Sequence, residues 1–357
     1  MKKLAYNKII ALALITLFYS TQLVAQGYVE KTKKIEKSFN LSGKTSLGIE
    51  NKYGDIHINT WDKNRIEVVV KITAKKRSTS AAEKLISQVD ININGGGNSK
   101  HIKFETEING NINNRNNEKF SIDYTVNMPK TSPLNITNKY GNVYIDELNA
   151  PLDLVVKYGN INLSDISKSA DIDLRYGNGE IEKMADVNLD ISYSNIGIEG
   201  CKEIACESKY SNLKFGSVVN MDISNKYGNV DIEEVSNIIG ESNYGKLRIE
   251  GLSKSLKMSM AYGGGLKVEK VSRNFTKIEI TSKYTSSELS FESGVSAKVI
   301  SNTRYGKLKY DEDKIRLTHV DIDHNVAQLE GTIGKSENPK SLIKVTSSYG
   351  SVRLDLD

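Results

Sequence analysis

Proline, histidine, cysteine and tryptophan are all scarce in this chain: four, four, two and one among 357 residues. Two cysteines, Cys201 and Cys206, cannot make the disulfide framework that holds small secreted folds together. Both fall at apolar positions of the pattern described below, so packing is their expected role, with a local bridge as the alternative. No further ligand residues cluster beside them, which argues against a structural metal. The histidines are His57, His101, His319 and His324. The nearest two are spaced so that a strand would point them to opposite faces. No phosphate-cradling loop occurs; Gly263-Gly264-Gly265 reads as relief at a corner. No cofactor is expected. Long apolar runs are missing beyond Ile9–Phe18, so no transmembrane segment is expected in the mature chain.

Charge of one sign is missing too. The formal charge is +5, and Lys2, Lys3 and Lys8 account for three of it, leaving +2 for the rest. Global charge therefore makes no case for nucleic acid. Those three lysines precede or flank the apolar run, and small residues follow toward Ala25. A basic region, a short apolar core and a cleavage point near Ala25 or Gln26 predict a signal peptide over residues 1–26. The expected location of the mature protein is the periplasm, the outer-membrane surface or the exterior.

What the chain has in plenty is tyrosine at regular intervals. The unit Asn138-Lys-Tyr-Gly-Asn-Val-Tyr-Ile145 recurs around Tyr53, Tyr140, Tyr158, Tyr176, Tyr193, Tyr210, Tyr227, Tyr244, Tyr262, Tyr284, Tyr305 and Tyr349. From Tyr140 to Tyr262 the gaps are 18, 18, 17, 17, 17, 17 and 18 residues, then 22, 21 and 44. A period near 20 residues is the mark of a solenoid, whose units bury their apolar faces only by stacking. Three residues after tyrosine stand Val143, Ile161, Ile196, Leu213, Val230 and Leu247. Five after stand Ile145, Leu163, Ile181, Ile198, Phe215, Ile232 and Ile249. Four before stand Leu154, Ile172, Leu189, Cys206, Ile223 and Met258. Alternation with polar residues gives strand periodicity. The fold class is all-β: a single-stranded, β-helix-like solenoid of 17–22-residue coils, each built from two or three short strands.

Glycine follows tyrosine in nine of the twelve units; Ser194, Ser211 and Thr285 are the exceptions. Tyr-Gly is expected to mark a bend, with glycine adopting the unusual backbone angle and the tyrosines buried as an aromatic ladder. Asparagine comes next in six consecutive units, Asn142, Asn160, Asn178, Asn195, Asn212 and Asn229, which suggests hydrogen bonds from coil to coil.

Residues 61–135 break the period. Arg65–Ala74 and Phe120–Met128 alternate as strands. Ile91–Ile93 and His101–Ile108 read as a hairpin around Gly95-Gly96-Gly97. Ser78–Val89 reads as the one helix, with Ser80 as N-cap and Glu83 at capping-box spacing. An open solenoid end exposes unpaired edges, so this stretch is expected to form a mixed cap. The organisation expected is a signal peptide at 1–26, an N-terminal cap at 27–135 and the repeat region at 136–357. The stretch Asp321–Gly331 is expected to be a coil that has lost its Tyr-Gly pair, and the final strand, Ser351–Asp357, to be the last edge.

Asn51-Lys-Tyr-Gly-Asp-Ile-His-Ile-Asn-Thr-Trp-Asp-Lys-Asn-Arg-Ile-Glu-Val-Val-Val70 resembles the entry to the putative adhesin family of bacterial β-strand-repeat proteins, a domain of unknown function. The strand ending Tyr124-Thr-Val-Asn-Met-Pro129 and the Gly-x-hydrophobic-x-hydrophobic units after it resemble the same family, from about Leu41 onward. This chain departs from it in the regular tyrosine before glycine. The resemblance implies an exported β-solenoid and brings no catalytic residues.

Chemistry is sparse. His319, Asp321 and Asp323 share a strand face with the pattern of a solvated surface rather than a cation site. Acids six residues after tyrosine, Asp146, Glu182, Glu199, Glu233 and Glu250, form a column spread over many coils, whereas sugar cleavage needs one pair at a defined separation. Before the tyrosine runs a basic column: Lys52, Lys139, Lys157, Arg175, Lys209, Lys226, Lys283 and Arg304. Lys139, Lys157, Arg175, Lys209 and Lys226 are the candidate stripe for an anionic glycan; solubility and edge protection are its plainer reading. The reading is a non-enzymatic exported β-solenoid, an adhesin or envelope scaffold binding glycan or another envelope protein. A polysaccharide-active β-helix enzyme and a periplasmic structural or sensory accessory protein are the alternatives.

Overall fold

The computed structural model describes residues 27–96, 99–113 and 117–356. The expected signal peptide and Gly97 lie outside these residues. All the strands join into one continuous sheet wound as a solenoid.

The N-terminal end contains β1 (Val29–Asn40), β2 (Ser46–Lys52), β3 (Ile56–Trp61), β4 (Arg65–Lys76), α1 (Thr79–Ser87), β5 (Val89–Asn94), β6 (His101–Ile108) and β7 (Lys119–Pro129). The first coil, β2 and β3 with Tyr53 between them, is not the outermost layer. β6 and β7 pair parallel with it on its outer side. β5 then adds antiparallel to β6, β4 adds antiparallel to β7, and β1 adds antiparallel to β4. Helix α1 closes this end by packing Ala82 and Leu85 against Ala74, with Phe120 beside them. Its cap is Ser78, whose side chain accepts from Ala81 N at 3.2 Å, in place of Ser80. Ser80 already lies inside the first helical turn, where its side chain cannot cap.

The regular stack begins with β8 (Leu134–Lys139), β9 (Val143–Ile145) and β10 (Leu152–Lys157). It continues through β11 (Ile161–Arg175), β12 (Asn178–Ser192), β13 (Asn195–Lys209), β14 (Asn212–Lys226), β15 (Val230–Asn243) and β16 (Lys246–Ala261). From β11 to β16 each coil is one long bent strand in place of the short strands expected, because ladder bonds continue around the second bend. Each lies parallel on the next and in register, apart from shifts between Ile166 and Ser169 and between Val235 and Asn237. Ile196 sits on Leu213 and Leu213 on Val230; Cys206 sits on Ile223. All of these are buried. Stacking converts a weak pattern within one coil into a continuous core. Burying each such side chain is worth roughly 1.5–3 kcal/mol.

Each coil thus has an arm before its tyrosine and an arm after it. At the C-terminal end the arms are β17 (Gly265–Val271), β18 (Lys277–Lys283), β19 (Ser287–Phe291), β20 (Ala297–Arg304), β21 (Leu308–Lys309), β22 (Ile315–Asp323), β23 (Val326–Ile333), β24 (Ser341–Ser348) and β25 (Val352–Leu356). Here the stack departs from chain order. β24 pairs parallel with β18 on one side and β20 on the other. β25 likewise lies between β19 and β21. The C-terminal coil is therefore inserted between two earlier coils and is not the last edge. Its side chains explain the choice: Ile343, Val345, Val352 and Leu354 are fully buried, as an interior coil requires. The stretch expected as a degenerate coil is instead an antiparallel hairpin of β22 and β23, laid antiparallel on β20. His324, at φ 47°, supplies its turn.

Candidate functional site

The tyrosines form one stack from end to end. Centroids of neighbouring rings are 4.6–5.4 Å apart and their planes lie within 5–19° of parallel. Tyr349 lies between Tyr284 and Tyr305, which places the 44-residue gap in the stack without a missing rung. At the N-terminal end Phe120 meets Tyr53 edge-on at 6.1 Å.

The ladder differs from expectation in two ways. Its rings are not buried: Tyr140 is 40% exposed and Tyr305 52%, with the tyrosines between them in a similar range. The left-handed backbone also belongs to tyrosine, not to glycine. All twelve have φ between 52° and 67°. A β-carbon in that region costs about 1–2 kcal/mol, and an offset aromatic pair returns about 0.5–1.5 kcal/mol. The bend throws the ring outward onto its neighbour, so stacking offsets the strain. Glycine is needed for a different reason: a Cβ at Gly141, Gly159 or Gly177 would lie 1.8–1.9 Å from the preceding coil's carbonyl oxygen. Where serine replaces it, a hydroxyl works in the turn: Ser194 Oγ accepts from Gly177 N at 3.2 Å, and Ser211 Oγ accepts from Ser194 N at 3.1 Å.

Asparagines occupy the outer side of the turn. Asn142 Oδ1 accepts from Asn160 N at 2.9 Å, and Asn160 Oδ1 accepts from Asn178 N at 2.8 Å. Further along, Asn195 Nδ2 donates to Asn178 Oδ1 and Asn212 Nδ2 donates to Asn195 Oδ1, each at 3.1 Å. The column therefore alternates between satisfying turn amides and bonding side chain to side chain. Inside the turn a second polar column is buried: Asn138 Nδ2 donates to Gly54 O at 3.0 Å and Asn225 Nδ2 to Gly228 O at 2.7 Å.

The five candidate cations fall into two groups. Lys139, Lys157 and Arg175 are consecutive in register, and Lys209 pairs with Lys226. Ser192 stands between the groups. Lys139 Nζ lies 4.9 Å from the Tyr140 ring centre and 5.8 Å from that of Tyr158, so part of the basic column rests on the ladder. Arg175 is drawn back, donating to Asp173 at 2.8 Å and Asp190 at 3.4 Å. Those carboxylates hold its guanidinium pKa above the ordinary value.

Asp173 and Asp190 belong to a face that the sequence reading did not pick out. Asp153, Asp171, Asp173, Asp190, Glu207 and Asp222 all line an open groove on the arm before the tyrosine. An adjoining groove of about 710 Å³ includes Asn188, Glu203, Asn220, Ile239 and Lys257. Counting back three and five residues from each tyrosine would have found these acids. The acids six residues after tyrosine lie on the other arm, where Glu233 pairs with Lys214 and Glu250 with Arg248.

His319, Asp321 and Asp323 do share a face, and no group of ligands suited to a metal occurs among the described residues. Cys201 and Cys206 are free and buried in separate columns. Burial, with nearby carboxylates, pushes both thiols up to about 12.

No family model and no curated protein matches this chain. Several solved structures are similar over most of its length at low identity. One is described as a putative cell adhesion protein from Clostridium sporogenes: 14% identity, 92% of this chain and 100% of that one covered, TM-score 0.20. Another is described as a putative adhesin from Parabacteroides merdae: 11% identity, 91% and 95% covered, TM-score 0.34. A third is described as a putative lipid binding protein from Parabacteroides distasonis: 14% identity, 91% and 96% covered, TM-score 0.25. No helix among the described residues is long and apolar enough to cross a membrane.

Proposed function

We propose that the protein is an exported, non-enzymatic adhesion or scaffolding module that binds an extended anionic polymer along its ladder. The observation that carries this reading is the unbroken tyrosine stack with cations lying along one flank. Stacked rings at this spacing have their faces occupied by one another. What reaches solvent is a row of ring edges and hydroxyls, with ammonium groups beside it and amides across the turn. Such a row offers weak, repeated contacts to a polymer with matching repeats, and many weak contacts in series give avidity. A glycan carrying carboxylate or sulfate groups has that chemistry. The acids of the two arms, spread over many coils and partly paired, support a non-enzymatic reading.

The test is protease shaving of intact cells combined with an adhesion assay on beads coated with the protein. Loss of the protein from intact cells, with bead adhesion to glycan-coated surfaces, is the expected result. Protection until the outer membrane is broken would make it a periplasmic accessory protein and remove the adhesion reading.

A further inference from the structure

The hairpin at the C-terminal end leaves an edge unlike any other in the molecule. Among the described residues β22 pairs with β23 alone. Its free edge carries Val320 at 51% and Ile322 at 66% exposure, the most exposed aliphatic side chains described. A register shift between Leu317 and His319 is the reason they line up. It changes the alternation midway, so Ile315, Leu317, Val320 and Ile322 stand on one side, opposite Ile333, Gly331, Leu329 and Ala327. That side continues the solenoid core: Leu329 and Ile333 are buried. The other arm ends at the two-residue β21, so no strand lies across from the hairpin tip. Arg316, Asp321 and the exposed His319 stand on the opposite side; among the described residues neither Arg316 nor Asp321 makes an ion pair, while Asp323 bonds to its neighbour His324 Nδ1.

We infer that β22 is a homodimer interface, taking a second copy of itself antiparallel about a two-fold axis between Thr318 and His319. The sequence of the strand is self-complementary in that register. Arg316 would face the second copy's Asp321, and Lys314 its Asp323, on the polar side. Leu317 would face Val320, and Ile315 would face Ile322, on the apolar side. An isologous edge must satisfy its own chemistry when reversed, and shifting the register by one residue would set apolar side chains against charges. Exposed apolar edge strands join other strands unless something blocks them, and nothing in Thr318–Asp323 blocks by proline or lysine. Lys314 is held near the dimer end by Asp311 at 3.7 Å and by the carbonyl of Leu356. Joining two copies here would continue the sheet across the interface and set the two ladders on opposite edges of it, because Asp323, beside Val326 and Arg304, marks the ladder end of the strand and the two-fold axis reverses it. The inference goes beyond the glycan reading and uses none of its residues.

Sedimentation of the full chain over a concentration series tests it. A monomer–dimer equilibrium is expected. Val320→Lys with Ile322→Lys should abolish dimerisation, with the far-ultraviolet circular dichroism unchanged. Arg316→Asp alone and Asp321→Arg alone should each weaken it roughly tenfold, since each opposing pair occurs twice by symmetry. The double variant Arg316→Asp/Asp321→Arg should restore it, which a merely structural role would not do. A chain that stays monomeric at every concentration would overturn the inference. So would a dimer insensitive to the lysine substitutions, or a double variant no better than the single ones.

Discussion

A Cβ added to Gly159 would lie 1.9 Å from the carbonyl oxygen of Gly141 in the neighbouring coil. Backbones pass this closely at most of the tyrosine turns, and the approach sets the pitch of the ladder. Gly159→Ala should therefore cost about 1–3 kcal/mol, because the turn must open against the ladder bonds on both sides. Gly43, with nothing within 4 Å of its Cβ position, is the control; Gly43→Ala should change stability by less than about 0.5 kcal/mol. Urea denaturation of the two variants checks both.

The value of the stack should depend on position within it. Tyr193 has ring neighbours on both sides, Tyr176 at 5.1 Å and Tyr210 at 4.9 Å. Tyr305 has Tyr349 at 4.7 Å on one side. Tyr193→Asn keeps a residue that tolerates the left-handed turn and removes two stacked pairs. It should lower stability by about 1–2 kcal/mol, and Tyr305→Asn by about half as much. Near-ultraviolet circular dichroism should lose coupled tyrosine signal in the same order.

The first two expectations show what the sequence could and could not reveal. The tyrosine intervals and the columns around Ile196 and Ile198 were enough for the solenoid, since stacking demands the same residue type at the same place in every coil. Spacing reports how many coils there are but not their order. Tyr349 lies last in the chain and second to last in the stack, because only the burial of Val345 and Leu354 on both sides distinguishes an inserted coil from an edge. In the tyrosine–glycine pair the usual roles are exchanged. Glycine usually marks the positive φ, yet here a close backbone approach uses up its freedom and tyrosine takes the strained angle. The cation column was visible; its interruption at Ser192 and the withdrawal of Arg175 toward Asp173 depend on the neighbouring arm.

The inserted coil makes the C-terminal end cooperative. Val345→Asp places a charge in a fully buried slot. Hydrogen exchange should then show lost protection in β18–β20 and β24, while β12–β15, several coils away, keeps its own. Equal loss throughout would mean that the solenoid opens as a single unit.

The two cysteines give a pH signature. Their thiols sit near 12 in the folded chain, against about 8.5 in an unfolded one. Between those values the unfolded chain has released protons that the folded chain retains, so stability falls as pH rises through that window. It is fully present below about pH 8.5. Native protein should not react with a thiol reagent at pH 8, and both thiols should react in denaturant. Replacing Cys201 and Cys206 with alanine should flatten the alkaline fall measured by urea denaturation.

The measurement that bears most directly on function is binding to a series of anionic glycans of increasing length, at several salt concentrations, by wild type and by a variant with Lys139, Lys157, Lys209 and Lys226 changed to glutamine. Affinity should rise steeply with glycan length, fall with salt, and drop about tenfold or more in the variant, since screening and charge removal act on the same contacts. Affinity independent of length, or unchanged in the variant, would contradict a ladder that binds by repetition.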